Sequence, residues 1–178
     1  MLCNILTLKG IALTPVCLRV MSGCLPGVYS LYKNPKNRYK LMLSARFYLI
    51  ITAMSGLLSV ALGAFGAHGL KALLSSDMLA AYQTGVQYQF THTLVLLGLA
   101  VLLLTFPASL VFFRMLKVSA NLMLVGILLF SGSLYTMAFM SVVDISSPTW
   151  LGPITPIGGL AFILGWVFLA IAAFKLPV

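Results

Sequence analysis

The chain has 178 residues, of which 61% are hydrophobic and 7% charged, and its mean hydropathy is +1.10. A soluble domain carries about 25% charged residues, so this composition excludes a freely soluble protein and specifies an integral membrane one. The basic excess, eleven Lys and Arg against two acids, gathers in Lys33, Lys36, Arg38, Lys40 and Arg46, beside a long apolar run. That placement favours anionic lipid headgroups as the partner and argues against nucleic acid.

Residues 1–32 are mildly apolar but broken by Arg19, Pro15 and Pro26. Three readings compete for them. A signal peptide would use Lys9 as its basic end and Ile11 to Met21 as its apolar core. A fifth spanning segment is the second. Either would carry the basic cluster at 33–46 outside, against the charge bias derived below. The favoured reading is a basic extension over 1–41, poorly ordered or reflecting a mis-set start, with Met42 as a normal beginning for the membrane domain at 42–178. Cys3, Cys17 and Cys24 all lie in this first part. An odd count without paired spacing specifies neither a disulfide framework nor a zinc site.

Charges then divide the chain into four apolar runs, 47–70, 78–113, 118–143 and 145–174, none with a Lys, Arg, Asp or Glu. A spanning helix needs about 20 apolar residues, so the fold class is all-α, a polytopic four-transmembrane-helix bundle with spans at about 47–67, 88–106, 118–140 and 156–174. The first helix is expected to end near His68, with Gly69 in the left-handed conformation. Ser75, Ser76 and Asp77 cap the second, and Pro107 stops it. The fourth is expected to open with Thr155 as N-cap and Pro156 at the first helical position.

Counting basic residues gives the orientation. With residues before Phe47 inside, the inner side holds Lys33, Lys36, Arg38, Lys40, Arg46, Arg114, Lys117 and Lys175, and the outer side only Lys71, together with Asp77 and Asp144. The positive-inside rule therefore places both termini in the cytoplasm.

Small residues are the expected packing surfaces, because lipid offers helices little hydrophobic drive to associate. The first helix carries Gly56, Ser59, Gly63 and Gly66 at steps of three and four, and also Ser55, Ser59, Gly63 and Ala67 at steps of four. The third carries Ser119, Gly126 and Ser133, and the fourth Gly158, Ala161, Gly165 and Ala172.

A candidate polar cluster comprises His68, Gln87, Tyr88, Gln89 and His92, expected near the outer interface. Tyr88 and His92 share a helix face. Two histidines could serve a proton relay or bind haem, but interfacial hydrogen bonding is the simpler reading, and no metal or cofactor is expected. Residues 130–135, FSGSLY, could line a small cavity, but Ser131 and Ser133 are preferably read as bonding back to their own helix, and the Phe and Met residues as lipid-facing or core filler. No Walker loop, nucleophile elbow or paired intramembrane carboxylate occurs.

Four motifs occur in order: GAFGAHG at 63–69, QTGVQYQFTH at 83–92, FSGSLY at 130–135, and TPIGG at 155–159 followed by Gly165-Trp166. Together they resemble domain-of-unknown-function family 423, small multi-pass proteins of bacterial inner membranes whose eukaryotic relative is transmembrane protein 256. The resemblance covers about Met42 to Lys175. It implies a four-helix inner-membrane protein whose members start near Met42, and it implies no activity. The function expected is that of a non-enzymatic accessory component packing with itself or with another membrane complex. A small transporter or channel component using the His/Gln/Tyr cluster is the alternative, and a haem or redox accessory the second alternative.

Overall fold

The computed structural model describes residues 35–105 and 110–175. The readings of residues 1–34 and of the Pro107 stop fall outside these. Helix α1 spans Pro35–Phe65 and continues through a π turn at Gly66–Leu70. Helix α2 is Ser76–Thr105, α3 is Leu110–Gly126 and α4 is Gly132–Val142; a second π turn, Ile127–Ser131, joins the last two into one span. Helix α5 is Leu151–Phe174. Four segments are long and apolar enough to cross a membrane: Met42–Leu70, Ser76–Leu104, Val111–Val142 and Leu151–Phe174.

Two of the helices start earlier than the charge boundaries suggest. α1 begins at Pro35 and runs through the basic stretch, and α3 begins at Leu110, ahead of Arg114 and Lys117. Backbone hydrogen bonding does not stop at the hydrocarbon edge, and long basic side chains reach back to it. Lys117 does this, donating to the Ser44 hydroxyl at 3.4 Å and lying over the Phe113 ring.

The ends correct several expectations. Gly69 lies within the right-handed π turn; the left-handed residue is Asp144, at φ 57°. Asp144 closes α4, where the Ile145 N–H reaches back to the Met140 carbonyl at 2.9 Å, the six-to-one bond of a Schellman ending. Asp tolerates that conformation better than most residues. Ser75 caps α2, its hydroxyl accepting from the Met78 N–H at 3.3 Å. Thr155 is no cap, because α5 starts a turn earlier, at Leu151, with Pro156 inside it. The Thr155 hydroxyl instead bonds that of Ser133 at 2.7 Å, tying α5 to α4.

Helices α2 and α3–α4 form the centre. α1 packs along α2, and α5 along α3 and its π turn. The buried residues of α1 are Ala45, Tyr48, Thr52, Ser55, Ser59, Gly66 and Leu70. Their steps of three and four follow a coiled-coil-like spacing, and they take Ser59 and Gly66 from one of the two expected rows and Ser55 and Ser59 from the other. Tyr48 joins α1 to α3 through a 2.7 Å bond to Asn121 Oδ1. The alternating helix directions gather Arg46, Arg114, Lys117 and Lys175 at one end of the bundle, and Lys71, Asp77 and Asp144 at the other.

The small residues are used inside the bundle. Gly56 and Gly63 lie against Thr93 and Val86 of α2, and Gly66 lies under the Tyr82 ring. The Ser59 hydroxyl donates to the Gly56 carbonyl at 2.9 Å. Gly165 rests on Met123, and its carbonyl accepts from Ser119 at 2.8 Å. Gly66, Gly69, Gly126 and Gly158 leave no room for a Cβ without a shift, and at Gly158 the obstacle is backbone. A Cβ on Gly158 would collide with the Phe130 backbone, and one on Gly126 would collide with the Phe162 ring. The second π turn therefore approaches α5 backbone to backbone, which only glycine permits.

Candidate functional site

Helix α2 carries polar side chains on two faces, and the two are built differently. The face toward α1 and α4 centres on Gln89, which is 5% exposed. Its Nε2 donates to the Ser55 carbonyl at 3.1 Å and lies 3.4 Å from the Ser55 hydroxyl. Its Oε1 accepts from the Tyr135 hydroxyl of α4 at 2.7 Å. The Ser55 and Thr93 hydroxyls meet at 2.7 Å. Two turns earlier the Tyr82 hydroxyl donates to the Leu62 carbonyl at 2.8 Å, and its ring packs on that of Tyr135 with centroids 5.1 Å apart. Unpaired polar groups are costly in an apolar medium. This network meets that cost by pairing groups across three helices, and none of them is charged.

The face toward α5 centres on His92, which is 7% exposed. Its Nδ1 lies 2.8 Å from the Tyr88 carbonyl. A carbonyl only accepts, so Nδ1 carries the hydrogen, and in the neutral ring Nε2 is left with its lone pair. Nε2 bonds no described residue. The ring lies flat on Phe162, with centroids 3.6 Å apart and planes 15° apart, and Trp166 presents an edge at 6.5 Å. Tyr88 stacks on Phe130 at 4.5 Å. Between α2 and α5 these rings line an open groove of about 770 Å³, with Gln87 and Thr91 on its polar side.

The depth of this groove departs from the sequence expectation. Phe162 lies 12 residues after Trp150 and 13 before Lys175, and Phe130 lies 13 after Lys117 and 14 before Asp144. At about 1.5 Å per residue, His92 is therefore about 20 Å from the charged ends of the bundle, midway along the helices.

The sequence cluster also divides. Tyr88 and His92 stack on each other at 5.7 Å, Gln89 turns instead toward α1 and α4, and Gln87 is exposed. His68 is exposed in the first π turn. The antiparallel pairing of α1 with α2 sets Ser55 beside Thr93 and Gly66 beside Tyr82. His68 is thus level with the start of α2, about 18 Å along the axis from His92, and the two histidines do not share a ligand. Phe130, Phe162 and Trp166 supply most of the groove's aromatic wall; Phe130 belongs to the segment 130–135 that the sequence offers as a cavity lining, whereas Phe162 reads as filler and Trp166 carries no expectation beyond its motif. They come from other helices, so no local spacing marks them. Ser133 does bond back, to the Phe130 carbonyl at 2.9 Å, but Ser131 is buried with its hydroxyl unpartnered among the described residues.

Four apolar spans around an uncharged polar interior define a multi-pass membrane protein. The chain belongs to the family described as protein of unknown function (DUF423), whose model matches residues 62–159. It is similar to the UPF0382 membrane protein of Haemophilus influenzae, with 43% identity over 72% of this chain and 94% of that one. It is also similar to the UPF0382 membrane protein YwdK of Bacillus subtilis, with 42% identity over 73% and 98%. The UPF0382 inner membrane protein YgdD of Escherichia coli K12 is 39% identical over 75% and 94%. No solved structure matches.

Proposed function

We propose that the protein is a non-enzymatic component of the bacterial inner membrane, with both termini cytoplasmic, that works by packing against a second copy of itself or another membrane complex. The observation that carries this reading is the outer face of α1. Its inner seam is occupied by α2 and α3, yet Ala53, Ala61, Ala64 and Ala67 are exposed on the opposite side. Small residues on a membrane helix allow a further helix to approach closely. The gathering of Arg46, Arg114, Lys117 and Lys175 at one end supports cytoplasmic termini. The non-enzymatic part is supported by an interior whose hydroxyl and amide groups bond mainly to one another or to backbone carbonyls, with no nucleophile set beside a base.

Disulfide trapping in native membranes tests this reading. With Cys3, Cys17 and Cys24 replaced by Ser, Ala64→Cys is expected to give an oxidised dimer or a larger adduct, whereas Leu99→Cys, buried inside the bundle, gives none. Exclusively monomeric chains for cysteines placed at 53, 61, 64 and 67 would overturn it.

A further inference from the structure

The groove between α2 and α5 is open, and its only bonded polar side chain with a free acceptor among the described residues is His92. We propose that it binds a neutral, membrane-soluble molecule with a flat ring head that bears a hydroxyl, and that this hydroxyl donates to Nε2 of His92.

Each part of that description follows from a feature of the groove. The ligand reaches it through the lipid phase, because the groove is open and lies midway along helices that span the membrane. The head is neutral, because no lining residue is charged and the charged ends of the bundle are about 20 Å away. A phospholipid headgroup is excluded on the same ground. The head is flat, because the wall is built from the rings of Tyr88, Phe130, Phe162 and Trp166, and such faces favour stacked or edge-on rings. The hydroxyl follows from the tautomer of His92. The bond to the Tyr88 carbonyl commits Nδ1 as donor, so in the neutral ring Nε2 can only accept. A ketone or methyl ether of the same shape has no hydrogen to give it. The side chain is 7% exposed and Nε2 bonds no described residue, so the lone pair is left for the ligand. A plain acyl chain would gain nothing from this nitrogen.

The site therefore separates the hydroxyl form of a ring-headed lipid from its dione or its ether. This inference is independent of any association through α1, and failure of one leaves the other standing.

The test uses the detergent-solubilised full chain and two radiolabelled probes that differ by one methyl group, 4-decylphenol and its methyl ether. The phenol is expected to bind saturably at one site per chain, and the ether about tenfold more weakly, as expected when a buried acceptor is left unmatched. His92→Leu is expected to lower phenol binding to the level of the ether. Gly159→Leu blocks the groove from α5 without touching His92. A Cβ at that position meets only the Phe130 ring, at 3.8 Å, so the variant is expected to fold and to lose both probes. Equal binding of phenol and ether, absence of saturable binding by either, or a phenol preference that survives His92→Leu or Gly159→Leu would overturn the assignment.

Discussion

The two faces of α2 show how one helix can carry polar residues through a membrane for different ends. Toward α1 and α4, Gln89, Ser55, Thr93 and Tyr135 pair with one another. Toward α5, His92 bonds only its own helix and meets its neighbours through ring faces. The first face is a fastener, because removing any member strands a partner in an apolar medium. The second is an open surface whose polar atom owes nothing to the other helices. Gln89 and His92 are both buried and lie on the same few turns, so burial alone does not separate the two kinds of polar residue. The number of helices to which each side chain is bonded does.

The largest effect that sharpens this comparison lies at the contact both faces depend on. Gly158→Val should cost about 3 kcal/mol or more, since the new side chain has no route past the Phe130 backbone. Reversible unfolding in bicelles measures it, and wild-type stability would show that the π turn moves freely. Next comes the fastener. Tyr135→Phe should cost about 1 kcal/mol, and combined with Gln89→Leu it should cost less than the sum of the two, because the two groups satisfy each other. Strict additivity in a double-mutant cycle would mean that the bond is not made. Ser119→Ala removes the bond to the Gly165 carbonyl and should cost about 0.5–1 kcal/mol. The smallest effect is expected at Ser131→Ala. That hydroxyl is buried without a partner, so its loss should leave stability within about 0.5 kcal/mol of wild type or raise it. A loss above 1 kcal/mol would reveal a partner.

Much of the architecture is legible along the chain. Charge-free runs mark the four spans because a charge inside hydrocarbon is costly, a constraint that acts on each helix separately. Helix ends are less legible. Gly69, Thr155 and Pro156 carry the local signals of an ending or a start, yet the chain continues helically through the first and begins ahead of the other two. Packing outweighs those signals: Gly66 seats Tyr82, and Thr155 is held by Ser133. The polar cluster is visible as a concentration of residue types, but its division is not. Neighbours in sequence, Tyr88 and Gln89 point to different helices, and their partners Phe130 and Tyr135 arrive from another span. The depth of His92 is hidden for the same reason, since the helix register that sets it is a tertiary property.

The most direct test of the two-face account is to compare Gln89→Leu and His92→Leu in parallel equilibrium unfolding in bicelles. Leucine is apolar and near enough in size at both sites. The account predicts that Gln89→Leu loses about 2 kcal/mol, because it strands the Tyr135 hydroxyl and removes the bond to the Ser55 carbonyl. It predicts that His92→Leu stays within about 0.5 kcal/mol of wild type, because no other helix loses a hydrogen bond. Equal losses, or a larger loss at His92, would contradict it, for His92 would then be a fastener as well.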